Sequence, residues 1–335
     1  MNRKTPMSNF ALVPLVSLVV LASSCVRPDL HRIVQSNAPT PAASPRVLAV
    51  YMPWFGDHGH MDVGYSSQDP AVLRRQIEEA RSLGISGFVV DWYGDRRPFL
   101  DKSFAQLQQV AVEQHFQVAL LYNEPEDSHG EATDAALQAL DKAYRDYIGP
   151  NAPYRESYLT HEGRPMIFIF PKNSGTDWGR VRQTVSSWKS PPLILYKDGA
   201  PPAHAADFDG YYAWIHPSND HWAKDGSDWG KAYLERFYKN MRDQHPGKIA
   251  VGAAWPGFDD EHASWGLDRY MASRCGKTLE DTLRLFRRYY DEADPLPFLL
   301  IETWNDYEEG TAIEKPELRG CSGNPQNGGT RDVGR

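Results

Sequence analysis

Four carboxyl groups lie close together near the carboxyl end of the chain, in the segment Glu302-Thr-Trp-Asn-Asp-Tyr-Glu-Glu-Gly-Thr311. The segment follows an apolar run, and in a β-strand successive side chains point to opposite faces. Counting by twos from Leu300 predicts one shared face for Glu302, Trp304 and Asp306. A turn at Glu-Gly-Thr would bring Glu309 next to Asp306, whereas we expect Glu308 to point into solvent.

A pair of carboxyl groups at one cleft is the chemistry of glycoside hydrolysis. One group donates a proton to the leaving oxygen, and the other acts as base or nucleophile. Burial beside Trp304 or Tyr307 would raise the pKa of one group and leave the other ionised. We therefore predict Asp306 and Glu309 as the catalytic pair, with Glu302 as an inward-facing substrate-binding residue. The alternative is that Asp306 and Glu309 lie in a polar loop without a catalytic role, where an acid only caps backbone amides.

Eight short apolar runs indicate the elements that must position these acids. Most runs are nearly continuous in apolar residues, as expected for parallel strands buried on both faces. They are residues 47–54, 87–93, 118–123, 166–171, 193–197, 210–216, 249–255 and 298–304. Helical patterns lie between most of them, at residues 71–83, 103–115, 132–147, 178–188, 231–245 and 279–292. The link between the fifth and sixth runs is too short for a full helix.

This alternation predicts an α/β fold, a (β/α)8 TIM barrel with a single catalytic domain over residues 46–315. A doubly wound open sheet would need a phosphate-binding glycine turn after the first strand. Residues 54–57, Trp-Phe-Gly-Asp, are not such a turn. The barrel is therefore favoured.

Acidic and aromatic residues recur where the predicted strands end. In a barrel these carboxyl ends build the active site. Carboxylates accept hydrogen bonds from sugar hydroxyls and aromatic rings stack on pyranose faces, so the combination favours a saccharide site. The alternative is that strand ends become polar merely because they reach solvent. We predict the following further substrate-binding residues: Tyr51, Trp54, Asp91, Trp92, Tyr93, Trp214, Trp255, Asp259, Trp304 and Tyr307.

The charge of the chain restricts its partners. Its 335 residues carry a net charge of −8, and the lysines and arginines form no cluster. Phosphate binding needs such clusters, so nucleic acid is not expected as a partner. A polysaccharide or oligosaccharide is the expected partner, and no cofactor or metal is expected.

Residues 1–25 have the pattern of an export signal, a basic start followed by an apolar stretch over residues 10–22 and two serines. Cys25 comes next, which is similar to a bacterial lipoprotein signal in which Cys25 is acylated after cleavage, although Ala22 stands where leucine is usual. Ordinary secretion is the alternative. Both interpretations predict an extracytoplasmic protein, either a cell-envelope lipoprotein held to the membrane through Cys25 or a secreted protein.

The segments that flank the predicted domain lack apolar periodicity. Residues 26–45 are rich in Pro, Ala and Ser and predict a flexible tether. Residues 316–335 are rich in Gly, Asn and Pro and predict a disordered tail. Cys275 and Cys321 either form a disulfide or remain two thiols, and the sequence leaves both alternatives open.

These motifs together resemble the barrels of glycoside hydrolase families 71 and 99. The family 71 α-1,3-glucanases have a motif similar to Thr303-Trp-Asn-Asp-Tyr307 followed by Glu309, and the family 99 endo-α-mannosidases one similar to Asn305-Asp-Tyr-Glu-Glu-Gly-Thr311 with Ile313-Glu314. Further similarities are Tyr51-Met-Pro-Trp54, residues 84–93 and Pro256-Gly-Phe-Asp-Asp260. The resemblance covers residues 47–315 and implies hydrolysis of α-linked glycans of the mannan or glucan type.

The resemblance also implies roles for individual residues. Glu309 matches the proton donor, and Asp306 matches the base, which is Asp in family 71 and Glu in family 99. Glu124 matches a substrate-contacting Glu of family 99. Family 99 retains configuration by way of the sugar's own 2-hydroxyl, whereas family 71 inverts. A shorter Asp at the base position leaves more room for a water molecule, which favours inversion.

Two other functions fit part of the pattern. A metal-dependent amidohydrolase on the same barrel would use His58-Gly-His60 after the first strand, with His216 and Asp306 as further ligands and Lys172 or Lys197 as a bridging lysine. The fifth strand, however, ends in Lys197-Asp198 and offers no histidine. A non-catalytic carbohydrate-binding surface protein is the second alternative, and the presence of both Asp306 and Glu309 argues against it.

Overall fold

A computed structural model describes residues 44–126, 131–172, 175–217, 222–291 and 294–314. The predicted signal at residues 1–25 with its acylated Cys25, most of the predicted tether at 26–45 and the predicted tail at 316–335 lie outside the described residues. The domain itself is a barrel of parallel strands surrounded by helices.

Eight strands form the barrel, as the eight apolar runs predict. They are β1 (Arg46–Tyr51), β2 (Ile85–Trp92), β3 (Gln117–Asn123), β5 (Arg164–Phe170), β6 (Leu193–Lys197), β7 (Gly210–Tyr212), β8 (Ile249–Ala254) and β11 (Phe298–Ile301). Their order is β3-β2-β1-β11-β8-β7-β6-β5, and the pairing of β3 with β5 closes the circle. All these pairings are parallel. The (β/α)8 prediction is therefore confirmed.

In the described ranges six α-helices surround the strands, and each overlaps a predicted helix. They are α1 (Pro70–Ser82), α2 (Pro98–Glu113), α3 (Ala132–Ala143), α4 (Trp178–Ser186), α5 (Lys231–Gln244) and α6 (Lys277–Tyr289). Helix α1 begins where the Asp69 side chain accepts from the Ala71 amide at 2.8 Å, with a proline at the first turn. Between β6 and β7 the chain forms only a 3₁₀ helix, Pro202–Asp207, as the short link predicts.

The helices pack closely on the outer surface of the barrel. A Cβ added at Gly252 of β8 would lie 2.5 Å from the ring of Phe286 in α6. The absence of a side chain at Gly252 therefore permits this approach. Within the described ranges, no helix is both long and apolar enough to cross a membrane.

The two faces of β2 show which side of the strands meets the helices. Trp92 donates through Nε1 to Asp101 of α2 at 3.0 Å, so it lies on the helical side. Asp91 therefore faces the barrel interior. Asn123 of β3 lies on the same side and donates to Asp91 Oδ1 at 3.0 Å.

Two short hairpins add to the barrel. The strand β4 (Thr160–His161) pairs antiparallel with β5, and β9 (Phe258–Asp259) pairs with β10 (Tyr270–Met271) after β8. The β9–β10 hairpin places residues 260–269 beside the loop that follows β11, because the Asp259 amide donates to the Glu309 carbonyl at 2.8 Å. Cys275, just after β10, is in a disulfide. The other two cysteines, Cys25 and Cys321, lie outside the described residues.

Candidate active site

The loop that follows β11 begins with a buried acid, Glu302. One carboxylate oxygen of Glu302, Oε2, accepts a short hydrogen bond from the Ile215 amide beyond β7. The other, Oε1, is buried and has no hydrogen-bond partner among the described residues. Burial raises the pKa of Glu302 well above its usual range, and the charge of Asp198 raises it further. Glu302 therefore presents a free acceptor inside the barrel mouth.

Asp306 and Glu309 come together in this loop, as the predicted turn requires. The Glu309 amide donates to Asp306 Oδ1 at 2.9 Å, and the Thr311 amide donates to the Asp306 carbonyl at 3.0 Å. Asp306 Oδ2 is buried without a hydrogen-bond partner in the described part of the chain. The two acids thus lie side by side, with one oxygen of Asp306 free.

The pKa values of both acids are raised, so the prediction that burial raises one pKa and leaves the other acid ionised is wrong. Burial is the main cause for Asp306, whose pKa lies well above its usual range, and the negative charge of Glu309 raises it further. Burial also raises the pKa of Glu309, against opposing contributions from Trp265 and Arg269. Two neighbouring carboxyl groups that resist ionisation can keep a proton at a pH where ordinary carboxyl groups have lost it, and can transfer it to a substrate.

Glu309 is the outer member of the pair, with 18% of its side chain exposed. Its Oε1 accepts a hydrogen bond from Trp265 Nε1 at 2.9 Å, and the Arg269 guanidinium lies 3.8 Å from the same oxygen. Both groups belong to the β9–β10 hairpin. Trp265 lies in a loop without a strand or helix pattern and is therefore not among the residues predicted from the sequence; the available signal was a tryptophan shortly after the predicted seventh strand.

Asp91 lies at the end of β2, which β1 separates from β11, and adds a further acid to this end of the barrel. Its Oδ1 accepts from Asn123 Nδ2, which also donates to the Tyr93 hydroxyl at 2.9 Å. Burial raises the pKa of Asp91 to about 6, while Asn123, Lys172 and Tyr93 act in the opposite direction. The predicted residues Asp91 and Tyr93 therefore share one polar network.

Glu124 is buried on the same side, but both of its carboxylate oxygens take protein donors. Thr176 Oγ1 donates to Oε1 at 2.6 Å and the Lys172 amide donates to Oε2 at 3.1 Å. Glu124 thus ties the end of β3 to the segment that follows β5.

A cation and two aromatic rings occupy the next part of the mouth; Phe170 was not among the predicted site residues, and Lys197 was named only in the amidohydrolase alternative. The Lys197 ammonium lies 3.9 Å from the centroid of the Phe170 ring, and the predicted residue Trp214 packs edge-on against the same ring at 5.1 Å. Burial lowers the pKa of Lys197, whereas Asp198, Glu302 and Glu309 raise it. Lys197 therefore supplies a positive charge near Glu302 and Glu309.

Four of the predicted substrate-binding rings lie elsewhere. The structure buries them almost completely: Tyr51, Trp92, Trp255 and Trp304. Tyr51 donates to Gln76 of α1 and Trp255 to the Trp229 carbonyl. Trp304 packs against Phe88, on the same side of β2 as Trp92. A ring without exposed surface offers no face to a sugar, so we leave these four out of the proposed site.

Three other predicted residues lie at the edge of the mouth. Trp54 is buried, stacks on His60 at 4.7 Å and meets Trp265 edge-on at 5.7 Å. Asp259 belongs to the β9–β10 hairpin. Tyr307 is half-buried and donates to Glu314 Oε2 at 2.7 Å, away from the acid pair.

The prediction for Glu308 is wrong, because this acid is buried rather than solvated. Its Oε1 accepts from the Met61 amide at 3.0 Å and its Oε2 contacts His60 Nδ1 at 2.9 Å. Glu308 therefore holds the loop that follows β1 in place.

The residues of the amidohydrolase alternative are scattered. His58 is exposed, whereas His60 is engaged with Glu308, and His216 Nδ1 contacts the Pro217 carbonyl at 2.7 Å. No group of three or more His, Cys, Asp or Glu side chains in the described ranges is arranged to hold a metal ion.

By sequence, neither a protein-family model nor a curated protein matches this chain. Solved structures do match. An endo-α-mannosidase of glycoside hydrolase family 99 from Bacteroides thetaiotaomicron, in complex with Bis-Tris propane, aligns with a TM-score of 0.61 and 16% identity over 81% of this chain and 87% of that chain. A second structure of that enzyme aligns with a TM-score of 0.60 and 16% identity over 80% and 87%.

A glycoside hydrolase-like protein aligns with a TM-score of 0.56 and 14% identity over 86% of this chain and 92% of that chain. At these identities the similarity is one of fold. The resemblance to a family 99 barrel is thus confirmed at the level of fold: the chain has the barrel that these glycoside hydrolase structures share.

Proposed function

We propose that this protein is a glycoside hydrolase that cleaves α-linked glycans of the mannan or glucan type. The observation that carries the proposal is the pair Asp306 and Glu309, two adjacent carboxyl groups whose pKa values burial raises, at the carboxyl end of the last barrel strand. Active sites of such barrels lie at this end. The fold shared with an endo-α-mannosidase supports the same conclusion.

Glu309 is the proposed proton donor. It is the more exposed of the two acids, so it can approach the glycosidic oxygen of a glycan that enters from solvent. Its raised pKa keeps it protonated at a pH where an ordinary glutamate has ionised. Proton transfer to the leaving oxygen leaves Glu309 as a carboxylate that Trp265 and Arg269 stabilise.

Asp306 is the proposed base. Its Oδ1 is held by the Glu309 amide, and once Asp306 is ionised the unpartnered Oδ2 can accept a proton from the attacking water, for which its raised pKa makes it a stronger base. The short side chain leaves room for a water molecule between Asp306 and the sugar, which favours inversion of configuration.

Substrate contacts are proposed for the other open groups at the mouth. Glu302 offers the unpartnered Oε1, and Asp91 lies close enough to the acid pair for its charge to raise the pKa of Asp306. Trp214 is half-exposed beside Lys197 and can stack on a pyranose ring. Glu124 supports this end of the barrel through Thr176 and Lys172.

The test is product analysis by NMR on a panel of α-mannans and α-glucans, including α-1,3-glucan. We expect the wild type to release sugars from at least one member of the panel and the Asp306→Asn and Glu309→Gln variants to release none. The anomer formed first reports inversion or retention. Binding without turnover across the panel would instead indicate the non-catalytic carbohydrate-binding protein, and activity that depends on stoichiometric zinc would indicate the amidohydrolase.

We also propose that the chain is exported and anchored through an acylated Cys25. The disulfide at Cys275 supports export, because disulfides persist in oxidising compartments. Radiolabelled palmitate incorporated into the full-length chain in a bacterial host, and lost in Cys25→Ala, is the expected result. Secretion into the medium without label would show the protein to be unanchored.

A further inference from the structure

The β9–β10 hairpin holds a well-defined loop against the acid pair. The Asp260 carboxylate accepts from the amides of Leu267 and Arg269, at 2.9 and 2.8 Å, and from Arg269 Nε at 2.6 Å. The Asp259 amide is bonded to the Glu309 carbonyl. Hydrogen bonds at both ends of the loop therefore hold its backbone beside Glu309.

Trp265 stands at the tip of this loop and is one of the few large hydrophobic residues that are exposed, with 39% of its surface accessible. Its Nε1 donates to Glu309 Oε1, and its ring meets Trp54 and His60 edge-on at 5.7 and 6.0 Å. These contacts fix the indole orientation yet leave part of the ring open to solvent. Exposed tryptophan that is also held rigidly is typical of a binding surface.

The position of Trp265 relative to the two acids indicates which sugar it would meet. The proton donor must reach the glycosidic oxygen, so a ring bonded to its carboxyl group lies within about one sugar unit of the scissile bond. Asp306, the proposed base, is almost completely buried, whereas Trp265 is partly exposed and donates to Glu309 from the solvent-facing hairpin loop. The sugar over Trp265 is therefore the one that leaves.

We propose that Trp265 and Glu309 form a pyranose-binding subsite on the leaving-group side, where the indole N–H orients the proton donor and the exposed indole surface stacks on the sugar. This inference rests on the proposed glycosidase activity. Trp265 acts as a positioning residue for Glu309 and as a direct contact for the glycan.

Two substitutions separate these roles. Trp265→Phe keeps an aromatic ring but removes the N–H, and Trp265→Ala removes both. Leu267→Ala is the matched control, because Leu267 lies in the same loop with 75% of its surface exposed. We expect KM for the cleaved oligosaccharide to rise about 10-fold in Trp265→Ala and to stay within about 2-fold of wild type in Trp265→Phe and Leu267→Ala.

The pH profile tests the positioning role. The Trp265 hydrogen bond lowers the pKa of Glu309, so its removal raises that pKa. The proton donor then stays protonated to higher pH, and the alkaline limb of kcat/KM moves to higher pH in both Trp265 variants. Leu267→Ala leaves the limb unchanged, because it leaves the indole N–H in place.

Two measurements without turnover keep the test independent of the proposed function. The Glu309 carboxyl titration, followed by 13C NMR, should shift to higher pH in Trp265→Phe. Calorimetry of α-mannan and α-1,3-glucan oligosaccharides with an Asp306→Asn protein should show about 10-fold weaker binding when Trp265→Ala is added. If the wild type cleaves no glycan, the proposed function fails while these results still decide the inference. An unshifted titration, no binding of any oligosaccharide, or equal losses in Trp265→Ala and Leu267→Ala would overturn it.

Discussion

The loop that follows β11 carries acids of two kinds. Glu308 and Glu314 have donors on both carboxylate oxygens: His60 and the Met61 amide for Glu308, and Gln76, Tyr65 and Tyr307 for Glu314. Glu302 and Asp306 have a protein donor on one oxygen only, and their second oxygens are buried without a partner in the described ranges. All four acids are buried, so burial alone does not distinguish them.

The difference shows which acids of the loop keep a carboxylate oxygen available for a hydrogen bond. A buried carboxylate oxygen without a donor costs roughly 1–3 kcal/mol or more of stability, and folding alone gives no reason to keep one. The fully bonded acids hold the loop against β1 and α1. The partly bonded acids face the interior of the barrel, where a substrate can supply the missing donors. We therefore expect substitutions of the fully bonded acids to lower stability, and substitutions of the partly bonded acids to lower activity without lowering stability.

The largest expected effect is on activity, and two neighbouring residues provide a matched pair. Glu309→Gln removes the proton donor and should lower kcat/KM for the cleaved glycan by about 10³-fold or more, because general acid catalysis contributes on the order of 10²–10⁴-fold. Glu308→Gln is the same chemical change one position away. It should leave kcat/KM within about 10-fold of wild type, since Glu308 contacts His60 and Met61 rather than the acid pair.

Steady-state kinetics at the pH optimum measures this contrast, and circular dichroism checks that both variants fold. Equal losses of activity in the two variants would mean that Glu309 of the acid pair and the fully bonded Glu308 contribute alike to catalysis.

The barrel was predictable because its signals are local. Strands buried on both faces give continuous apolar runs, and α1 starts at Asp69-Pro70 and is followed by Gly84 with φ of 84°. The association of Asp306 with Glu309 was also predictable, because a Glu-Gly-Thr turn lies between β11 and the end of the loop.

It was less predictable whether each aromatic side chain points into the barrel or towards the helices. Alternation along β2 already separates Asp91 from Trp92, yet both were assigned to the site. The same count does not apply to Trp304, because β11 ends at Ile301 and the loop is then held by Asn305, which bonds both the amide and the carbonyl of Met52. Trp265 depends on the contacts of Asp260 in a loop, and no periodic pattern reports such contacts.

The next effect is on stability, at the fully bonded acids. Glu314→Gln replaces one acceptor oxygen with an NH2 group, which then meets either the Gln76 amide donor or the hydroxyls of Tyr65 and Tyr307. We expect the free energy of unfolding to fall by about 1–3 kcal/mol. At about 2–4 °C per kcal/mol, differential scanning calorimetry resolves the loss in Tm. An unchanged Tm would mean that this side of the loop does not hold the fold.

Asp306→Asn should instead raise the free energy of unfolding. Its pKa is raised in the folded protein, so the native state binds its proton more tightly than the unfolded chain does. Stability from this group is fully present below the unfolded pKa and is lost as pH rises through the folded pKa. Asparagine carries no such penalty. We expect the variant to be about 0.5–2 kcal/mol more stable than wild type at pH 8.

Urea denaturation at pH 4 and pH 8 measures the difference between the two proteins. The gain should shrink towards pH 4, where wild-type Asp306 is protonated in the native state. If the variant is less stable than wild type at pH 8, Asp306 stabilises the fold, as we expect of Glu308 and Glu314.

The smallest effect tests whether the comparison extends to Asp91 at the end of β2, a strand that β1 separates from β11. Asp91 ionises with a pKa of about 6, and its negative charge raises the pKa of Asp306. Asp91→Asn removes that charge, so Asp306 should ionise at lower pH and serve as base there. We expect the acid limb of kcat/KM to move down by under about one pH unit. If the acid limb of kcat/KM does not move, the charge of Asp91 does not act on the acid pair. Proton transfer would then depend only on the loop after β11.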